Sequence, residues 1–183
     1  MAGGYQVQDE QELVNRAQNG DEEAFSQIYE EYFNKIYRYV VVRMGDEMEA
    51  EDITQQVFLK ALQSIGSFKW RGTPFSSWLY RIAHNQVVDY LRKKKRRTTV
   101  PLDEIQVAVD RDPQDEVEKG FDLQRLASAM HHLTESQRSV ISLRFTSELS
   151  TAEVAQVLGK SQGAIKALQH SAVVALRRLL AEG

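Results

Sequence analysis

Apolar residues recur at the spacing of an α-helix along nearly the whole chain. Asp21 is a good N-cap for a helix that runs to about Val42. A second helix follows Gly45 and ends at Gly66. The apolar positions of these two helices are Ala24, Phe25, Ile28, Tyr32 and Ile36 in the first, and Ile53, Val57, Leu59, Ala61 and Leu62 in the second.

A third helix is predicted to begin at Thr73-Pro74, an N-cap followed by proline at the first helical position, and to run to about Lys94. Its inward residues would be Phe75, Trp78, Leu79, Ile82 and Leu91. Residues 98–113 contain two prolines and mixed charge without a helical period, which is typical of a flexible linker. The pattern therefore predicts an all-α protein of two small helical domains, residues 1–97 and residues 114–183.

The second domain is predicted to open with a helix after Pro113, through Leu123, Leu126 and Met130, and to contain three further helices. Two of these begin with S/T-x-x-E/Q capping boxes, in which the side chains and backbone amides of the first and fourth residues pair reciprocally. The capping pairs are Thr134 with Gln137 and Ser150 with Glu153.

Residues 150–170 have the pattern of a helix-turn-helix, with a turn at Gly159 and a second helix capped by Ser161. The residues that pack across the turn would be Val154, Leu158, Ile165 and Leu168. The polar stripe of the second helix is Gln162, Lys166, Gln169 and His170. This stripe is available to a DNA major groove, although an ordinary helical hairpin with a solvated outer face has the same pattern.

Charge is distributed unevenly, although the formal net charge is only -3. Residues 9–60 are strongly acidic and residues 69–97 strongly basic. Residues 103–122 are again acidic, and residues 123–183 are moderately basic. Alternating acidic and basic segments indicate separate binding surfaces for different partners.

Several classes of function are excluded or disfavoured by the sequence. No cysteine occurs, so disulfides and thiolate chemistry are impossible. The N-terminus lacks the pattern of a signal peptide and no apolar run is long enough to span a membrane, so we expect a cytoplasmic protein without membrane insertion. The acids of residues 46–52 are scattered around a helix without a nearby histidine, and His84, Asn85 and Asp89 lack a nucleophile. We therefore predict no metal, cofactor or catalysis.

The most informative segment is residues 67–97, which is rich in both aromatic and basic side chains and contains one acid. Basic side chains attract phosphates whatever the base sequence, and aromatic faces stack on unpaired bases. A loop with an aromatic-basic edge precedes the third helix, which ends in a run of cations. The combination predicts a surface for single-stranded or melted nucleic acid.

Three motifs together resemble the extracytoplasmic-function (ECF) branch of the bacterial sigma factors. Residues 74–97, PFSSWLYRIAHNQVVDYLRKKKRR, fit that family's F-x-x-W-L-x-x-I-A-x-N-x-x-x-D-x-x-R pattern at every fixed place. Residues 50–62, AEDITQQVFLKAL, are similar to the helix with which such proteins grip RNA polymerase. LTESQRSVISLRF and LSTAEVAQVLGKSQGAIK are similar to their second DNA-binding domain. The order and separation of the three make the resemblance specific.

The resemblance implies a role for each domain in promoter recognition and transcription initiation, as in a stress or envelope response. The first domain would bind the coiled coil of the polymerase's largest subunit, and the second the polymerase flap. The polymerase-binding residues would be Asp52, Gln55, Gln56, Phe58 and Leu59, unless Phe58 is simply a core residue. The -10 element would meet Ser67, Phe68, Lys69, Trp70 and Arg71 in the loop, and Arg81, Asn85, Asp89 and Arg92 on the helix. Trp70 would either stack on DNA or close the loop onto the domain.

The second domain would bind the -35 element through Ser161, Gln162, Lys166, Gln169 and His170. Here the chain departs from the family, whose recognition helix usually carries several arginines. Ala167, Leu168 and Ser171 stand in those places, so bidentate arginine contacts to guanine are unavailable there. The resemblance also implies a separate anti-sigma protein. The linker would let the two domains close around that protein. The alternative is an autonomous helix-turn-helix regulator, which would leave the aromatic-basic loop unexplained.

Overall fold

The structure is a computed structural model that describes residues 7–97 and 129–181. These residues form α-helices joined by turns, and no β-strand occurs among them. The predicted linker and the start of the predicted helix after Pro113 lie outside the described residues, so the domain boundaries stay predictions. The helices are α1 (Val7–Gln18), α2 (Glu22–Met44), α3 (Glu47–Ser64), α4 (Phe75–Arg97), α5 (Glu135–Phe145), α6 (Thr151–Leu158) and α7 (Gln162–Ala181).

Helix α1 was not expected from the sequence. Its apolar residues Leu13, Val14 and Ala17 are buried against α2. The backbone of Gly20 has φ +87, which permits the tight turn into α2. Asp21 caps α2 as predicted, because its side chain accepts a hydrogen bond from the amide of Ala24 at 3.1 Å.

The remaining helices of the first domain complete a four-helix core. Helix α3 ends at Ser64, and a short 3₁₀ helix (Ile65–Ser67) leads into the loop before α4. Helix α4 begins one residue later than predicted, because the carbonyl of Pro74 accepts the first helical hydrogen bond, from Trp78. The largest fully buried side chains of this domain are Tyr39, Phe75, Ile28, Ile36 and Leu79.

Helices α5, α6 and α7 form the second domain. Both predicted capping boxes are present, at the starts of α5 and α6. Gly159 is in the left-handed conformation with φ +62, and the Ser161 hydroxyl caps α7 by accepting from the amide of Ala164. Val154 and Ile165 are buried across this turn, as the helix-turn-helix pattern predicted.

The two domains contact each other directly. Helix α5 packs on α2, and α6 packs on α4. Buried residues of both domains, among them Val140, Val154 and Ile165 with residues of α2 and α4, belong to one apolar cluster. The guanidinium of Arg43 in α2 is fully buried and forms an ion pair with Glu135 of α5. This contact fixes the orientation of the helix-turn-helix relative to α4.

Candidate nucleic-acid and protein interfaces

One face of α3 is exposed and carries most of the residues predicted to bind polymerase. Asp52, Gln55, Gln56 and Leu59 are exposed, and the side chain of Leu59 is 57% accessible. Phe58 is different, because it is 3% exposed and packs edge-on against Tyr29 at 4.8 Å. It therefore belongs to the core, as the alternative interpretation of this residue held. It lies four residues after the buried Thr54 and three before the buried Ala61, on the same side of the helix.

The apolar part of this face is made by Leu59 and Leu62, which are 57% and 52% exposed. The sequence listed both among the apolar positions of this helix, and Leu59 also among the polymerase-binding residues. Ile53, Val57 and Ala61 already fill the space against α2 and α4, so the two leucines lie on the outer face. Exposed leucine flanked by Asp52 and Gln55 suits docking on a partner with a basic, partly apolar surface.

The aromatic-basic loop, residues 66–73, divides into buried and exposed side chains. Ser67, Lys69 and Arg71 are exposed. Phe68 is 6% exposed and packs against the rings of Phe75 and Trp78 at 5.4 Å each. Phe68 therefore cannot stack on a base in this structure, and the prediction that it contacts DNA is corrected. Its burial follows from the cluster of four aromatic rings that anchors the loop to α4.

Trp70 lies half-buried at the edge of that aromatic cluster. Its ring meets Phe68 edge-on, with 5.0 Å between centroids. This contact matches the interpretation in which Trp70 closes the loop onto the domain. Its indole nitrogen is buried and has no hydrogen-bond acceptor among the described residues. Lys69 and Arg71 are thus the loop's exposed groups that can meet a phosphate.

Helix α4 presents Arg81, Asn85, Asp89 and Arg92 on one exposed face, as their spacing of four and three predicts. The amide of Asn85 offers both a donor and an acceptor to a base edge. The basic run at the end of the helix is not wholly free, because Lys94 binds both carboxylate oxygens of Glu49 at 2.9 and 2.8 Å. That bond ties α4 to α3.

His84 faces away from the polar residues beside it. Its Nδ1 lies 3.1 Å from the hydroxyl of Tyr39, whereas Asn85 and Asp89 are exposed. Burial, followed by the nearby charge of Arg43, lowers the pKa of His84 to about 4. His84, Asn85 and Asp89 therefore do not form one site.

The recognition helix α7 exposes three of its predicted DNA-binding side chains, Gln162, Lys166 and His170. Ser161 is also exposed, although its hydroxyl is engaged in capping the helix. Gln169 differs from the predicted stripe. It is half-buried, and its side-chain oxygen accepts a hydrogen bond from Nε of Arg144 at 3.2 Å. Gln169 therefore faces α5 and not the outer surface, because it lies beside the buried positions Ile165 and Ala172.

Three residues that the sequence did not single out support these surfaces. Gln18 bonds the backbone of the aromatic-basic loop, Arg43 joins the two domains, and Arg144 binds both Gln169 and the carbonyl of Leu149. Each is a polar residue whose partner lies far away along the chain or on another element, so no local pattern could have identified it. Within the described ranges, no cluster of histidine and acidic residues could hold a metal ion, and no helix is long and apolar enough to cross a membrane.

Exposed basic and polar faces on α4 and α7, with a helix-turn-helix and an anchored aromatic loop, define a two-domain DNA-binding protein of the transcription machinery. Residues 28–97 match the family model for Sigma-70 region 2, and residues 129–178 match that for Sigma-70, region 4. The chain belongs to the ECF RNA polymerase sigma factors, which direct promoter recognition.

Two curated relatives illustrate the similarity. The ECF RNA polymerase sigma factor BldN of Streptomyces coelicolor is 42% identical over 171 residues, which span 92% of this chain and 65% of the relative. SigW of Bacillus subtilis is 31% identical over 177 residues, spanning 91% of this chain and 94% of the relative. This chain thus spans about two thirds of BldN and nearly all of SigW.

Two solved structures share the fold. The sigma factor RpoE of Bartonella quintana, in complex with the anti-sigma factor NepR, has a TM-score of 0.71 and 25% identity, covering 85% of this chain and 96% of that chain. CnrH in complex with the cytosolic domain of CnrY also has a TM-score of 0.71, with 24% identity, covering 93% of this chain and 96% of that chain. The second likeness shows the fold alone.

Proposed function

We propose that α3 binds the coiled coil of the largest polymerase subunit, while the aromatic-basic loop and α4 bind the promoter -10 element and α7 binds the -35 element. The observation that carries this proposal is the exposed face of Arg81, Asn85, Asp89 and Arg92 directly after the loop. A helix face with a base-reading amide between cations suits DNA whose strands are separating.

Strand opening is driven by binding and not by chemistry. Bases that leave the duplex lose a few kcal/mol of stacking, roughly, for each step that is broken. Contacts of the freed strand with Lys69, Arg71 and Asn85 offset that loss. The protein therefore consumes no nucleotide and acts as a non-catalytic subunit of the polymerase, in the cytoplasm where polymerase and promoter meet.

The -35 element is read by Gln162, Lys166 and His170, which are exposed on α7. No arginine occupies positions 167, 168 or 171. Glutamine favours adenine and lysine favours guanine in the major groove, so this surface differs from one that reads guanine through paired arginines. The second domain also contacts the polymerase flap.

An anti-sigma protein regulates this chain. The sigma factor RpoE of Bartonella quintana was solved in complex with the anti-sigma factor NepR, and its fold and sequence are similar to those of this chain. Because the chain has no cysteine, a thiol-redox signal in a stress or envelope response would be sensed by that partner.

Run-off transcription with purified core polymerase on genomic promoter fragments tests the function. We expect specific transcripts only when this protein is added. A footprint by the protein alone, without polymerase and without transcripts, would instead indicate an autonomous helix-turn-helix regulator.

Co-purification with core polymerase tests the α3 surface. Asp52→Arg combined with Gln55→Ala reverses one charge and removes one amide from the exposed face, so we expect at least about a tenfold loss of polymerase binding. Glu12→Arg with Gln11→Ala makes matched changes on the exposed face of α1 and should bind like the wild type. Equal binding by both double variants would exclude α3 as the docking helix.

A further inference from the structure

Gln18, the last residue of α1, connects that helix to the aromatic-basic loop. Its side-chain nitrogen donates to the carbonyl oxygen of Ile65 at 2.9 Å and to that of Phe68 at 2.8 Å. One amide nitrogen therefore holds both ends of the 3₁₀ turn with which the loop begins. Gln18 lies outside residues 28–97, which match the family model.

A single side chain can bond both carbonyls only if its end group has at least two donors. The carbonyl of Ile65 also accepts the amide of Phe68 at 3.0 Å, which closes the turn. The side chains of Ile65 and Phe68 are buried, so the backbone between them cannot easily turn its carbonyls toward water. A carboxylate at position 18 would place negative charge against two carbonyl oxygens, and an apolar side chain would remove the donor from both, leaving Ile65 only the amide of Phe68.

The amide of Gln18 is itself held on a fixed support. Leu13, Val14 and Ala17 bury the inner face of α1 against α2, and the turn residue Gly20 follows two residues after Gln18. The turn thus has a fixed position relative to the first domain. The exposed residues of the loop, Ser67, Lys69 and Arg71, lie within or directly after this turn, so its position sets their direction.

We propose that Gln18 is a positioning residue for promoter opening. By holding the carbonyls of Ile65 and Phe68, it keeps the loop in the shape in which Lys69 and Arg71 meet the freed strand. This inference rests on the proposed role of the loop in binding the -10 element.

The test uses polymerase assembled with full-length variants at position 18. Gln18→Glu and Gln18→Met remove the donors at nearly constant length, and Gln18→Lys retains a group with three donors. Gln11→Glu and Gln11→Lys are the matched controls, because Gln11 is exposed on α1 seven residues earlier and experiences the same charge changes. Open complexes are measured on a promoter fragment that the wild-type enzyme transcribes. Permanganate reactivity reports them on the duplex, and competitor-resistant polymerase binding reports them on a pre-melted bubble of the same sequence.

We expect Gln18→Glu and Gln18→Met to reduce open complexes by about tenfold on both templates, which corresponds to ~1.4 kcal/mol. Gln18→Lys and the Gln11 variants should stay within about twofold of the wild type, and all variants should co-purify equally with core polymerase. Because Gln18→Met adds no charge, it separates loss of the donors from repulsion by the carboxylate.

Four results would overturn the inference. The first is that both donor-free variants form open complexes at the wild-type level, and the second is that Gln18→Lys is as defective as they are. The third is that the loss of open complexes matches a loss of polymerase binding. The fourth is that the pre-melted bubble restores open complexes fully. If any of these results is obtained while the wild-type protein still supports transcription, the inference about Gln18 fails but the proposed function does not. A wild-type protein that supports no transcription on any fragment overturns the proposed function and this inference together.

Discussion

His84 is held neutral at the contact between α2, α4 and α5. Its ring lies against the Tyr39 hydroxyl, and burial is the main reason that its pKa falls to about 4. The charges that act on it come from three helices. Arg43 and Arg92 lower the pKa further, and Glu135 raises it. A proton on this ring would therefore be bound more tightly in the unfolded chain than in the folded protein.

The free energy of unfolding should consequently fall as the pH drops from about 6.5 towards about 4, because the unfolded chain binds the proton first. Above pH 6.5 the ring is neutral in both states, and His84 costs no stability. His84→Gln removes the titration while keeping a polar partner for Tyr39. Urea unfolding at several pH values should show a shallower decline for this variant than for the wild type. Because the carboxylates titrate in both proteins, only the difference between the two curves reports His84, and identical curves would contradict the assignment.

At the scale of the helix-turn-helix, Gly159 determines how α6 turns into α7. Its φ of +62 lies in the left-handed region, where a Cβ is strained whatever the free space. A Cβ there would lie 4.0 Å from Nη2 of Arg81, an ordinary contact, so conformation and not crowding restricts this position.

Gly159→Ala should therefore lower the free energy of unfolding by ~1–2 kcal/mol. Gly159→Asn should cost less, since asparagine tolerates this conformation. Gly163→Ala is the control, because Gly163 is helical and its Cβ would meet only the Ser161 hydroxyl, at an ordinary 3.9 Å. This variant should be neutral or stabilising. Chemical denaturation of the three variants measures the order, and an alanine cost at position 163 as large as at position 159 would refute the argument.

The elements themselves were largely predictable, because their signals are local. Asp21, Thr134 and Ser150 were identified as caps, and each accepts the expected backbone amide. Helix α1 was missed although Leu13, Val14 and Ala17 have helical spacing before Gly20. The apolar positions of α3 include the exposed Leu59 and Leu62, because spacing alone does not tell how wide a stripe the neighbouring helices cover.

At the scale of the whole molecule, the two candidate DNA-binding surfaces lie close together. Gln156 of α6 donates to the carbonyl of Gly72 in the aromatic-basic loop at 3.4 Å. The -10 and -35 elements lie about 25 base pairs apart, which corresponds to roughly 85 Å of duplex at 3.4 Å for each base pair. With α4 and α7 bound to these elements as proposed above, the domains separate, and the buried contact between α2 and α5 opposes that separation.

Glu135→Lys should open the contact between the domains. It replaces the partner of the buried guanidinium of Arg43 with a second cation, and an uncompensated buried charge is strongly unfavourable. Small-angle scattering of the free protein should show a larger radius of gyration, with helicity unchanged. Glu30→Lys, the same charge change on the exposed side of α2, should leave the radius unaltered. An unchanged radius in Glu135→Lys would mean that the ion pair does not hold the domains together.

The sequence by itself determined every described helix except α1, together with the caps, the helix-turn-helix and the family, because each depends on residues that are near one another along the chain. It also placed Arg81, Asn85, Asp89 and Arg92 on one face, since helical spacing fixes that. The burial of Phe58 and Phe68, the inward turn of Gln169 and the bonds of Gln18 and Arg43 were decided by tertiary structure. These features depend on which helices pack together, because burial and long-range hydrogen bonds join residues whose separation along the chain has no regular period.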